Sequence, residues 1–146
     1  MPNISEDAIA FFLLFSKFEC ALKHDGYLKT QNGKAEANWH SFAASTGVTL
    51  EVLLEQASVS EEVRYLVKEP PMVQIVKNGV LVWEKVQKPT HLNELIDCIK
   101  RVRNNLFHGG KYSCSEFDHP PRSHRLILSC LVVLKELSKY LGTGIE

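Results

Sequence analysis

The sequence predicts an all-α protein, a helical bundle with additional short helices and one small β-hairpin insertion. Three observations predict it. Apolar residues recur at three- and four-residue steps in three long stretches, near residues 5–25, 90–109 and 118–141. That is the period of a helix with one buried face. Asn78-Gly79 stands between two runs rich in β-branched residues, the strongest short-range hairpin signal. Pro70-Pro71 separates this hairpin from the helical pattern before it, because proline cannot continue a helix.

The first helix is expected to start at Ser5, an N-cap residue followed by Glu6 and Asp7, which suit the positive end of the helix dipole. Phe11, Leu14, Phe15, Phe18 and Leu22 make its buried face, and Asp25-Gly26 ends it. Residues 30–38 read as a polar loop. Trp39, Phe42 and Ala43 then predict a short helix that drops an aromatic anchor into the core. Two further short helices are expected at 50–57 and 59–68, the second started by Ser60, Glu61 and Glu62. The hairpin follows at 72–86. Thr90 is the expected N-cap of the next helix, whose apolar face is Leu92, Leu95, Ile96, Ile99, Val102 and Leu106, with Gly109 closing it. Asp118 caps a last helix with Pro120 and Pro121 in its first turn. Its stripe is Ile127, Cys130, Leu131, Leu134, Leu137 and Leu141. One domain over 1–146 is expected, with 30–88 as an insertion in the helical frame.

Composition narrows the function classes. Among 146 residues, Lys plus Arg and Asp plus Glu both number 17, so the formal charge is zero. A basic field over the whole surface is absent, and nucleic-acid affinity must come from a local patch. The window 98–115 holds Lys100, Arg101, Arg103 and Lys111 and no acid. Its plain reading is a helix end whose cations complement the dipole. The four cysteines, Cys20, Cys98, Cys114 and Cys130, form no C-x-x-C pair, which reads as a reduced, cytoplasmic protein. The apolar run Phe11 to Phe15 is too short for a bilayer, and it follows Glu6 and Asp7 rather than a basic leader. No membrane association is expected.

The chemistry concentrates in Arg103-Asn104-Asn105-Leu106-Phe107-His108-Gly109-Gly110-Lys111. Arg clamps phosphate, and His moves protons near neutral pH. At about 100° per residue, Arg103 shares the face of Leu92, Ile96, Ile99 and Leu106. A guanidinium there needs an acid inside the bundle, a cleft or a second surface, since an unpaired buried charge costs several kcal/mol. Glu19, on the flank of the first helix's stripe, is one such acid. Its other readings are a surface pair with Lys23 and a carboxylate that orients a base. His108 lies about 140° around an ideal helix from Arg103, so the two converge only if the last turn unwinds or a second copy contributes. Asn104, four before His108, is placed to hold the imidazole in one tautomer. The plain reading of His108 is a cap on the last helix carbonyls.

Arg103-Asn104-x-x-x-His108, at the end of a long amphipathic helix with a Gly-Gly stop, resembles the R-x(4–6)-H signature of HEPN domains. The Phe-rich segment Phe15-Ser16-Lys17-Phe18-Glu19-Cys20-Ala21-Leu22-Lys23 is similar to the first helix of some plasmid- and phage-borne HEPN proteins. The resemblance covers mainly 5–25 and 90–141. It implies a homodimer with two Arg/His pairs across one cleft, and metal-independent endoribonuclease activity as a toxin or defence effector. It leaves open an antitoxin protein as a partner. His108 would be the acid or base, Arg103 the phosphate clamp, and Asn104 an orienting group. Lys100, Arg101, Lys111 and Tyr112 would touch RNA, with solubility and packing as the alternative for Lys111 and Tyr112. One departure is Gly110, which stands where HEPN toxins paired with nucleotidyltransferase antitoxins carry a Tyr. The competing class is a catalytically inactive HEPN-like module that binds nucleotide, RNA or protein. No cofactor is expected. The metal sets Cys114/His119/His124 and Cys20/His24 do not make a four-ligand pattern, and no nucleophile elbow or Gly-rich phosphate loop is present.

Overall fold

A computed structural model describes residues 4–107 and 120–143. The chain is mainly helical, with two small two-stranded sheets. In chain order the described elements begin with α1 (Ile4–His24), β1 (Leu28–Gln31), β2 (Lys34–Ala37) and α2 (Trp39–Thr46). Then come α3 (Leu50–Glu55), α4 (Ser60–Lys68), β3 (Val73–Lys77) and β4 (Val80–Glu84). The last are α5 (Leu92–Phe107), α6 (Pro120–Leu137) and a 3-10 turn over Ser138–Tyr140.

The helical stripes read from the sequence do the packing. All six residues of the α5 stripe are buried, as are Ile127, Cys130, Leu131, Leu134 and Leu137 of α6. Each large apolar side chain removed from water stabilises the fold by ~1.5–3 kcal/mol. α6 runs against both α1 and α4, and α5 meets α2, α4 and α6. Trp39 is the anchor expected of α2. Its ring stacks on Phe18 at 4.8 Å and tilts over Phe15 at 5.0 Å. Asn38 caps α2 by accepting the Ser41 amide.

Both hairpins turn on Asn-Gly. Asn78 and Gly79 have φ of 53° and 77°, and Asn32 and Gly33 have 53° and 79°. These left-handed pairs suit the tight hairpin turn that matches strand twist. Strands β3 and β4 pair antiparallel with Ile75 opposite Val82. The first hairpin corrects the expected loop at 30–38. Strands β1 and β2 pair there with Thr30 opposite Ala35. Every residue of β1 is exposed, and β2 buries only Ala37.

Helix α5 also departs from expectation at its start. It begins at Leu92, and Thr90 is a donor rather than an N-cap acceptor. Its amide and hydroxyl donate to Glu94 Oε1 at 2.9 and 2.7 Å. These two bonds lower the Glu94 pKa. The expected closure of α5 at Gly109 and the cap of α6 at Asp118 lie outside the described residues.

Long-range polar contacts tie the helices together. His124 Nε2 lies 2.6 Å from Asp7 Oδ2, joining α6 to the first turns of α1. His40 Nε2 meets Asp97 Oδ1 at 2.9 Å between α2 and α5. Asp25, just past α1, accepts the Gly142 amide at 2.8 Å and the Thr143 amide at 3.2 Å, and also the Thr143 hydroxyl. That hydroxyl is the main reason its pKa lies below the ordinary value.

Candidate functional site

The last two turns of α5 carry the site. Successive residues of a helix project about 100° apart, so neighbours here serve different surfaces. Asn105 and Arg101 face the linker after α4. Asn105 Nδ2 donates to the Met72 carbonyl at 2.9 Å, and Arg101 Nη1 donates to the Pro71 carbonyl at 3.2 Å. A segment containing prolines has few amides to satisfy its carbonyls locally, so α5 supplies donors. Arg101, a candidate RNA contact, thus spends one nitrogen on structure. Lys100 beside it is half-buried.

Arg103 projects toward α1. Its guanidinium carbon lies 5.4 Å from the centre of the Phe15 ring, a cation–π distance. Nη1 donates to Asn104 Oδ1 at 3.1 Å. Nε is buried and has no acceptor. Among the described residues no carboxylate lies within ion-pair distance of this guanidinium. Buried polar atoms are nearly always bonded, so this orphan N–H marks a place where an acceptor belongs.

Glu19 does not supply that acceptor. Its Oε2 accepts the Trp39 indole N–H at 2.9 Å. It forms no ion pair with Lys23 either. The carboxylate satisfies the one polar atom of an otherwise buried aromatic anchor, a role that sequence spacing did not suggest. Asn104 is exposed and its amide oxygen serves Arg103. His108, Lys111 and Tyr112 lie outside the described residues, as do Cys114 and His119 of one metal set. Of the other set, His24 Nδ1 donates to the Cys20 carbonyl at 2.9 Å and sits 3.6 Å from the Cys20 sulfur. Among the described residues no group of three His, Cys, Asp or Glu side chains converges as metal ligands would. Cys98 and Cys130 are buried and free. Burial pushes the Cys98 thiol up to about 11 and the Cys130 thiol well above its usual range, so neither is a thiolate nucleophile at neutral pH.

The sequence also missed a group of cations. Lys68, Lys85, Lys88 and Arg122 line one cavity of about 550 Å³. They come from α4, the stretch after β4, and α6, so no local pattern announces them.

No family model, curated protein or solved structure matches this chain.

Proposed function

We propose that the protein is a metal-independent endoribonuclease of the HEPN type, acting as a homodimer. The observation that carries this reading is the Arg103 guanidinium. Among the described residues it rests on an aromatic ring, bonds one adjacent amide and keeps a buried N–H without an acceptor. A phosphate oxygen bonded to the terminal N–H groups would pair this cation, whereas the enclosed Nε is reached only if its neighbours shift. Among the described residues no internal carboxylate pairs the guanidinium, which was the structural alternative.

The chemistry follows from residue types. His108 takes the proton of a ribose 2′-hydroxyl or protonates the leaving 5′-oxygen. Arg103 binds the phosphate and stabilises the charge that grows on it. Asn104 fixes the guanidinium plane. The attacking oxygen is part of the substrate, so the products carry 2′,3′-cyclic phosphates.

Dimerisation has its own support. Helix α1 is apolar on more than its buried face, with Ile9 60% and Leu13 52% exposed and Phe12 39% exposed. Phe12 lies one turn before Phe15, the ring under Arg103. A second copy covering this stripe would border the guanidinium. The test incubates RNA with the wild-type protein in EDTA, beside Arg103→Ala and His108→Ala. Cleavage by the wild type alone supports the reading. Binding without cleavage would make the chain an inactive RNA-binding module.

A further inference from the structure

We propose that the cavity between α4, the stretch after β4 and α6 binds the phosphate backbone of single-stranded RNA. This deepens the nuclease reading and rests on it for the substrate class. Four of the chain's 17 lysines and arginines line this one cavity of about 550 Å³, with Glu69 as its single acid among the described residues. Arg122 already satisfies that acid, donating to its carboxylate at 3.0 Å. Lys68, Lys85 and Lys88 form no ion pair among the described residues. Three ammonium groups without an ion pair among the described residues share one concavity, and an anion entering it is attracted by all three. On a chain of zero net charge, such concentration of cations is local by construction.

The wall chemistry favours a polynucleotide over a small anion. Pro70, Met72 and Val86 line the same cavity and offer apolar surface to a sugar or an unstacked base. Lysines are flexible point charges that follow a backbone rather than clamp one oxyanion in a fixed fork. The cavity is also coupled to the candidate site. Asn105 and Arg101 of α5 hold the carbonyls of Met72 and Pro71, so the helix that presents Arg103 also fixes this wall. A second cavity of equal volume provides the contrast. It is lined by Glu61, Glu62, Tyr65 and Arg125 among others, and its two carboxylates repel phosphate.

The test reads anisotropy of a labelled 2′-O-methyl RNA of about 12 nucleotides, within the usual single-strand site size, across a salt series. Its blocked 2′-oxygen cannot attack, so binding is measured apart from cleavage. Lys68→Gln/Lys85→Gln/Lys88→Gln should weaken binding by about tenfold at low salt. It should also flatten the log–log salt slope by about 2, since each single-strand phosphate contact contributes roughly 0.7. Glu61→Gln/Glu62→Gln should bind at least as well as wild type. All three lysines are exposed, so the melting temperature should hold. Lys88→Glu alone, expected to weaken binding by several-fold, serves if the triple variant does not fold. The proposal is overturned if the triple variant binds like wild type, or if tripolyphosphate competes as well as the oligonucleotide. The two readings fail separately. Cleavage with lysine-independent binding leaves the nuclease and removes the cavity, whereas lysine-dependent binding without cleavage does the reverse.

Discussion

Arg122, in the first turn of α6, and Arg103, near the end of α5, are the same residue in opposite circumstances. Arg122 is committed. It donates to the Glu69 carboxylate at 3.0 Å, to the Glu69 carbonyl at 3.4 Å and to the Pro70 carbonyl at 3.0 Å. Among the described residues Arg103 has one hydrogen bond, to the side chain next to it, and an unbonded buried N–H. One guanidinium closes the chain around a proline turn. The other lies against an aromatic ring with its buried Nε unbonded, which costs stability. The difference separates a guanidinium used by the fold from one whose Nε has no acceptor among the described residues.

Several experiments break or sharpen that contrast. The largest effect belongs to the surface beside Arg103. Leu13→Asp places a charge in the exposed stripe of α1; if the proposed dimer and nuclease are right, it should give a monomer in sedimentation, with loss of RNA cleavage. A variant that stays dimeric and active would remove the composite cleft. Next is the fold around Arg122. Arg122→Met should lower stability by ~1–2 kcal/mol in denaturant melts, mostly from carbonyls left without donors, because the half-exposed Glu69 pair contributes little. Arg103→Met should go the other way or change nothing, within ~1 kcal/mol, since it removes an unsatisfied polar atom while keeping the stem on Phe15. If Arg103→Met destabilises as much as Arg122→Met, the contrast is lost.

The smallest effect is on acid stability. Asp25 and Glu94 have folded pKa values below their ordinary 3.8 and 4.5 because Thr143 and Thr90 hydrogen-bond the charged forms. Their contribution is fully present above those ordinary values and is lost as pH falls through the lowered ones. Both residues are only half-buried, so solvent screening keeps the loss slight. Asp25→Asn should flatten the acid limb of the stability curve below about pH 4 and leave both arginine regions unchanged, since Asp25 bonds neither of them. An acid limb identical to wild type would show that Asp25 holds no pH-sensitive tether.

Much of the helical frame was legible because its signal is periodic. The stripes of α1, α5 and α6 and the aromatic anchor Trp39 follow from spacing alone. The hairpin at 73–84 was legible because apolar strands flank its Asn-Gly turn. The hairpin at 28–37 has the same turn at Asn32-Gly33, but its strands, LKTQ and KAEA, lack an alternating apolar face. The inward position of Arg103 could be read from a helical wheel. Its neighbour Phe15 could not, because a helix–helix contact joins residues far apart in sequence. Glu19 was read as a surface or site acid for the same reason, since its use is fixed by Trp39, 20 residues on. The basic cavity was hidden because three elements contribute its cations.

The most direct measurement is RNA cleavage in EDTA by the wild type, Arg103→Ala and His108→Ala, with analysis of the product ends. The wild type should yield 2′,3′-cyclic phosphates, and each variant should be slower by about 10²–10³-fold, the usual loss when one group stabilising transition-state charge is removed. Intact RNA with the wild type, or cleavage by Arg103→Ala at the wild-type rate, would contradict the assignment of this guanidinium to the scissile phosphate.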